Sequence, residues 1–373
     1  MKPSTERFLF VSPTAGIYGS ERSMLSLLND RNLDAAVACP PGGPLHLALQ
    51  ALGVPVYNIS FGLYRIARRP DWHIGLLIKL TSTIRKSKCT TVVINLDGNS
   101  PIVTLAALLC NVRLIRFCRF EVRSNWSSIE KWSWRRADII LCPSYTVAQQ
   151  VSSNLGGRHR SVYVLYESVD VQRISSDTID NLRRTEFRGC RPIIGYVGRL
   201  HREKRVEIAI NVLSKIRVEF PDANLVLVGS EDNSDDGRDY LKELKRLVSL
   251  LGLSSSVNFM GYQDASRTGD IISCLDVFVL PSDSESFGRV LAEAWSFGVP
   301  TVAFGVGGCL EITEASGGGL LAKRNDVSGL AEHTLSLLRD SDYARTLGNR
   351  GQRWVRDCCN PKRIADRFKQ YAL

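Results

Sequence analysis

Two glutamates eight positions apart, Glu285 and Glu293, stand in the stretch Val279-Leu-Pro-Ser-Asp-Ser-Glu-Ser-Phe-Gly-Arg-Val-Leu-Ala-Glu-Ala-Trp-Ser-Phe-Gly-Val-Pro300. A carboxylate in a cleft can accept paired hydrogen bonds from the vicinal hydroxyls of a ribose or a hexose. Apolar residues at Phe287, Val290, Leu291, Ala294 and Trp295 recur at helical spacing, and Gly298 with Pro300 stops the helix. Glu285 is therefore expected in the loop before the helix and Glu293 within it. A helix beginning here would present unpaired N–H groups at Ser286, Phe287 and Gly288, a natural anion site. The same pattern also suits a plain structural role, with Glu285 favouring the helix dipole and Glu293 solvated.

A second set lies in Ile193-Ile-Gly-Tyr-Val-Gly-Arg-Leu-His-Arg-Glu-Lys-Arg205. A strand runs into Gly198, and Arg199 and Lys204 flank a short loop ahead of a helix. Two cations at a strand end suit a diphosphate, because a guanidinium grips bidentately and an ammonium acts as a point charge. The alternative is a solvated basic turn. His201 has neither a base nor a metal-ligand partner beside it and is expected in solvent.

Two glycine-rich loops follow strands and open helices: Pro13-Thr-Ala-Gly-Ile-Tyr-Gly-Ser-Glu-Arg22, with Gly16 and Gly19, and Gly305-Val-Gly-Gly-Cys-Leu-Glu-Ile312, with Gly307, Gly308 and Leu310. Both let backbone approach a phosphate or sugar closely. Neither has the dinucleotide spacing G-x-G-x-x-G or the P-loop G-x-x-x-x-G-K-[ST], so NAD and P-loop ATPase chemistry lose support.

These loops need a scaffold, and the apolar runs supply it. Phe8–Val11, Ala35–Ala38, Val54–Asn58, Thr91–Asn95, Leu114–Phe117, Ile139–Cys142 and Val162–Leu165 alternate with helix-like segments. Residues Ile174–Gly189 hold no strong apolar run and read as a linker. The alternation then resumes with Ile193–Val197, Leu225–Val228, Val257–Met260, Val277–Leu280 and Thr301–Phe304. Continuous apolar strands between helices indicate parallel strands buried on both faces. The expectation is an α/β protein with two Rossmann-like, doubly wound parallel-sheet domains, residues 1–173 and 190–360, facing a cleft where ligands sit.

The composition agrees: 373 residues, 44% hydrophobic and 23% charged, is ordinary for a globular chain of about two domains. The ten cysteines form no C-x-x-C, so zinc ribbons and thioredoxin motifs are out. No signal peptide is read before Arg7-Phe-Leu-Phe-Val11, and no apolar run reaches membrane-helix length, so a reducing cytoplasmic setting is expected. The net charge of +10 is uneven: residues 1–180 hold 21 Lys and Arg against 13 Asp and Glu, and the remainder 27 against 25. A basic first half suggests an acidic partner there.

Taken together, these residues resemble the retaining glycosyltransferases of family 4 (glycosyl transferases group 1), which have the GT-B fold. The resemblance covers nearly the whole chain. Its most specific part is the ordered series Gly198–Lys204, Leu225–Gly229, Val257–Tyr262, Asp276–Ser282, Glu285-x(7)-Glu293 and Gly307–Glu311; Gly19–Arg22, Pro41–Leu45 and Ala137–Ser144 look like the family's first domain. The resemblance implies that Arg199 and Lys204 bind the donor diphosphate, Glu293 the ribose hydroxyls and Glu285 a hydroxyl of the transferred sugar. It further implies that Ser286, Phe287, Gly288, Gly307, Gly308 and Leu310 complete the sugar and phosphate pocket, with Gly261 and Tyr262 near the base and Gly16 to Gly19 closing over the donor. No cofactor and no divalent metal are expected. Retention of configuration is expected by front-face attack.

The chain also departs from the family. After Leu114–Phe117, where many relatives place a histidine, it reads Arg116-Phe-Cys-Arg-Phe-Glu121, leaving Arg119 and Glu121 as acceptor-side candidates. The usual Asn-Gly-Val-Asp reads Glu167-Ser-Val-Asp170. Residues Arg116–Arg136 mix six cations with five aromatics, and Phe61–Trp72 forms a second such stretch. Basic and aromatic residues together suit single-stranded nucleic acid or an anionic bilayer surface, unless the tryptophans are core. Nucleic acid leaves the donor motifs unexplained, so peripheral contact with the inner membrane face is favoured. The expected function is transfer of a sugar from a nucleotide diphosphate sugar, UDP by family precedent, to a glycan or lipid-linked acceptor in polysaccharide or envelope assembly. The rival is a non-catalytic GT-B protein that binds nucleotide sugar or partners a transferase; a GT-B epimerase is a lesser alternative, for want of acid/base side chains. The helical Pro361–Leu373 is expected to pack back on the first domain.

Overall fold

The computed structural model of the protein describes residues 6–62, 70–97, 99–122, 126–157, 161–171, 174–187, 189, 191–231 and 234–373, with backbone only at 70–72. Most of the basic-aromatic stretch Phe61–Trp72, together with Arg123, lies outside the described residues. The chain forms two compact units. One runs up to Ser168 and takes in Pro361–Leu373; the other is Val169–Asn360.

The first unit holds seven parallel strands: β1 Phe8–Val11, β2 Ala35–Cys39, β3 Val56–Asn58, β4 Thr91–Ile94, β5 Arg113–Phe117, β6 Ile139–Cys142 and β7 Val162–Val164, in the order β3-β2-β1-β4-β5-β6-β7. Successive side chains of a strand point to opposite faces. Leu9 and Val11 therefore join one core with α3 Pro70–Ser87, α4 Ser100–Leu109, α5 Ser128–Arg135 and α6 Tyr145–Asn154. Phe8 and Phe10 join the other core with α1 Gly19–Leu28, α2 Pro44–Ala51 and the terminal helix.

The second unit opens with α7 Ser176–Glu186, inside the segment expected to be a linker. Ser175 caps it, and Arg183 anchors it to the Cys274 carbonyl and to Asp276. Its apolar content is too low to show a periodic stripe. Six parallel strands follow: β8 Ile193–Val197, β9 Asn224–Val228, β10 Val257–Gly261, β11 Val277–Leu280, β12 Thr301–Phe304 and β13 Gly319–Ala322, ordered β10-β9-β8-β11-β12-β13. Between and after them lie α8 Val206–Ile216, α9 Asp235–Leu250, α10 Ala265–Ser273, α11 Arg289–Ser296, α12 Gly307–Ser316, α13 Val327–Arg339 and α14 Ser341–Trp354. The chain ends in α15 Pro361–Ala372, whose Phe368 is fully buried among Phe8, Phe10 and Phe117.

Candidate active site

In the second unit the strand order reverses between β8 and β11. Loops leaving neighbouring carboxyl ends diverge at such a point and open a crevice for ligand. Gly198 continues β8 by donating its N–H to the Val228 carbonyl (2.9 Å). A Cβ there would stand 2.7 Å from the Tyr196 hydroxyl, and one on Gly229 would stand 1.9 Å from the Gly198 carbonyl oxygen. The two strand ends thus touch through glycine alone. Arg199 follows with an exposed side chain that makes no hydrogen bond or ion pair among the described residues. Tyr196, fully buried, donates to the Arg199 carbonyl at 2.9 Å, and burial pushes its pKa well above the ordinary value.

A short 3-10 turn, Arg202–Lys204, carries the chain onward, with the His201 Nδ1 accepting the Glu203 N–H at 3.3 Å. This turn brings the Lys204 ammonium to 2.7 Å from Glu285 Oε1. Ser282 donates to the same oxygen at 2.8 Å. The two charged side chains are 20% and 15% exposed. A backbone bond from the Asp283 N–H to the Glu203 carbonyl (3.0 Å) fastens the turn to the loop after β11.

That loop is bound in turn to the start of α12. The Gly308 N–H donates to the Glu285 carbonyl at 2.7 Å, and a Cβ on Gly308 would lie 2.5 Å from both Phe287 Cα and the Ser286 carbonyl oxygen. Gly307 opens α12, and Leu310 in its first turn is half-exposed. The helix expected from Phe287 begins instead at Arg289. Gly288 caps it with φ +87°, a left-handed conformation outside the helix, so Ser286, Phe287 and Gly288 form the turn before it rather than its first N–H groups. Glu293 lies one turn into α11, where the Arg289 Nε donates to its Oε1 at 2.8 Å. Gly261 ends β10 with φ +66°, and Tyr262 beyond it is exposed. Gly198, Arg199, Lys204, Glu285 and the Ser286–Gly288 turn thus line the switch point with Gly307 and Gly308. Gly261 and Tyr262 lie at the sheet's edge.

Gly16, Gly19, Arg119 and Glu121 belong to the first unit. Gly16 packs so closely on Tyr18 that a Cβ would reach its ring at 2.8 Å, and Gly19 opens α1. The order here reverses between β1 and β4, and a buried polar network spans that point. Glu21, fully buried, accepts from the Tyr18 N–H (3.2 Å), Ser12 (3.2 Å), Ser20 (2.8 Å) and Asn95 (3.4 Å). Arg119 donates to Asn95 at 3.0 Å and to Glu167 at 2.7 Å, and Glu167 also accepts from Ser23. Arg119 and Glu167 are 8% and 9% exposed, so the arginine is enclosed rather than displayed; Glu121 is half-buried.

Much of the Arg116–Arg136 stretch is likewise interior. The fully buried Arg116 donates to Asp97, Ser100 (2.7 Å) and Ser133 (2.8 Å), and its guanidinium lies 3.7 Å over the Trp134 ring. Burial pulls its pKa down to about 9. Trp134 is fully buried and stacks on Trp126 at 4.7 Å. The position of Arg116 in the β5 run, between Ile115 and Phe117, was the available sign. Among the described residues, no cluster of three or more His, Cys, Asp or Glu is placed to hold a metal ion, and no helix is long and apolar enough to cross a membrane.

Residues 19–173 match the family described as Glycosyltransferase Family 4, and residues 177–354 match Glycosyl transferases group 1. N-acetyl-alpha-D-glucosaminyl L-malate synthase of Bacillus anthracis is 25% identical over 65% of this chain and 61% of its own length. The 2-deoxystreptamine glucosyltransferase of Streptomyces kanamyceticus is 26% identical over 62% and 59%. The match thus spans about three fifths of these relatives. Among solved structures, Anabaena HepE in complex with UDP superposes with a TM-score of 0.84 at 21% identity, covering 98% of each chain. A glycosyltransferase from Rickettsia africae gives 0.85 at 15% identity, over 99% and 98%. These likenesses identify the fold as GT-B.

Proposed function

The chain belongs to the group 1, family 4 glycosyltransferases, and from that membership we propose that it transfers a sugar from a nucleotide diphosphate sugar to a hydroxyl of a glycan or lipid-linked acceptor. The observation that carries this reading is the meeting of Lys204 and Glu285 at the switch point, beside exposed Arg199 and the turn that Gly308 seals. Arg199 and Lys204 would take the diphosphate and stabilise its charge as the leaving group departs. Glu285 would hold a hydroxyl of the moving sugar and Glu293 the ribose. The positive charge comes from side chains, so the reaction runs without a divalent metal. By the precedent of the family, the acceptor attacks on the face the leaving group vacates, through a short-lived oxocarbenium-like species, and configuration is retained.

UDP is the proposed nucleotide, in keeping with the UDP complex of Anabaena HepE. Assembly of polysaccharide or envelope glycan is the proposed setting. Peripheral contact with an anionic membrane is supported less by Arg116–Arg136 than by α3 and α4, where Ile74, Ile78, Leu105, Leu108 and Leu109 are exposed near Lys79, Arg85 and Lys86.

Calorimetric titration of UDP, GDP and ADP into the wild type and Lys204→Ala tests the reading. One nucleotide should bind, in the presence of a chelator, and bind about tenfold or more weakly to the variant, the loss of one charge-assisted contact. Binding of none by the wild type would sink it in favour of the non-catalytic alternative.

A further inference from the structure

Arg205 has no part in the donor contacts described above, yet its backbone and its side chain are both unusual. It sits between the 3-10 turn and α8 with φ +51° and ψ +44°. This is the left-handed region, which residues bearing a Cβ adopt rarely and which persists where surrounding contacts impose it. The side chain supplies such contacts from three segments. Its Nε donates to Glu207 Oε1 at 2.6 Å. Its Nη1 donates to Asp283 Oδ2 and Oδ1 at 3.0 and 3.2 Å, and to Asn325 Oδ1 at 3.2 Å.

Two of these partners, Glu207 and Asp283, are themselves fixed. Glu207 accepts from the Tyr240 hydroxyl, whose oxygen accepts the Val206 N–H at 2.9 Å, so the first turn of α8 is pinned from outside. Asp283 also accepts from Arg324 at 3.3 Å, and its own N–H is bound to Glu203. Consecutive residues of the turn, Lys204 and Arg205, therefore pair with Glu285 and Asp283 of the facing loop. One such pair leaves the turn free to swivel about it. Two, with a backbone bond beside them, fix its orientation.

We propose that Arg205 is a positioning residue: it clamps the turn after β8 to the loop after β11 and so holds the Lys204 ammonium in place before the donor arrives. The role assigned to Lys204 rests on the donor site proposed above; the clamp itself does not. The left-handed backbone is then a consequence of the side-chain bonds, because α8 can start in its present direction only if the chain turns sharply where Arg205 is tied down.

Two readouts on the full chain separate these parts. The first is the acetylation rate of Lys204 by acetic anhydride, followed by peptide mass spectrometry with no nucleotide present. The second is UDP affinity by calorimetry. Arg205→Gly keeps the left-handed backbone accessible and removes the clamp. It should raise Lys204 acetylation and weaken UDP binding, each by about fivefold, the effect of one partly exposed ion pair. Arg205→Lys should fall between it and the wild type. Asp283→Ala removes the acceptor of the same bridge without touching the turn and should shift both readouts in the same direction as Arg205→Gly, which guards against a variant that fails to fold. Unchanged acetylation in both folded variants overturns the clamp. Faster acetylation with unchanged UDP affinity overturns its service to the donor. Faster acetylation in a protein whose wild type binds no nucleotide supports the clamp and removes the donor reading instead.

Discussion

Lys204 and Glu285, 81 positions apart, meet at 2.7 Å across the point where the strand order of the second unit reverses. The ammonium is paired with the carboxylate, whereas Arg199 presents its charge to solvent. A diphosphate entering there has to draw Lys204 away from Glu285 or share it. Glu285, no longer tied to the ammonium, could then accept from a sugar hydroxyl as well as from Ser282. One displacement would thus ready both ends of the site.

Glu285→Gln separates the two halves of that exchange. The amide no longer competes for Lys204, so UDP affinity should be kept or improved. Transfer should slow by about a hundredfold, as when one group aimed at the reacting centre is lost. Calorimetry and a turnover assay check the two values on the same preparation. A parallel loss of affinity would contradict the exchange.

Gly308→Ala should damage the site more than the fold. The added methyl would lie 2.5 Å from backbone atoms of Ser286 and Phe287, which have no flexible end to yield. The turn and the start of α12 must then separate, breaking the bond from Gly308 to the Glu285 carbonyl. Nucleotide affinity should fall about tenfold, for the loss of roughly 1.4 kcal/mol of pre-organised contact. A titration of the variant against the wild type measures it.

Arg116→Ala should cost about 3–5 kcal/mol, chiefly because it opens a hole against Trp134 and takes the guanidinium from Ser100 and Ser133. Arg116→Met fills that hole with apolar volume, and Asp97 is exposed enough to reach water, so its cost should stay below about 2 kcal/mol. Urea denaturation of the three proteins gives both values. Equal losses would mean that the charge, not the volume, matters there.

The attachment of α15 should depend on pH at both extremes. Burial pushes the Asp30 carboxyl up, but the Lys369 ammonium and the Asn32 N–H outweigh it and leave the group below its ordinary 3.8. The bond to Asp30 raises Lys369 above its ordinary 10.5. The carboxyl's contribution is present above its unfolded pKa and is lost as acid protonates it. The ammonium's is present below its unfolded pKa and is lost as the pH climbs through its raised value. The pair should stabilise between these limits by at most about 1 kcal/mol. In melting curves across pH, Asp30→Asn should flatten the acid limb.

The sheets were legible because strands buried on both faces read as unbroken apolar runs: β1, β6, β8, β11 and β12 begin and end where those runs do. The strand β13 is not legible, being three half-buried residues and the buried Ala322 at a sheet edge with glycines before them. The start of α11 was misjudged because Phe287 fits the helical stripe while Gly288, next to it, turns the chain left-handed. Arg199, Lys204, Glu285 and Glu293 could be picked out by type and spacing. That Lys204 closes on Glu285 could not, because pairing over 81 positions is decided by strand order. The same limit hid Arg116 and Trp134, whose charge and aromaticity suggest a surface while their strand and helix turn them inward.

Unit boundaries at Ser168 and Asn360 also impose an order on biosynthesis. On the ribosome, all of Val169–Asn360 emerges before the helix that covers Phe8, Phe10 and Phe117. Nascent domains usually mature in the order they are made; here the unit begun first is completed last. Until α15 arrives, an aromatic face stays open on the growing chain, a ready target for a chaperone.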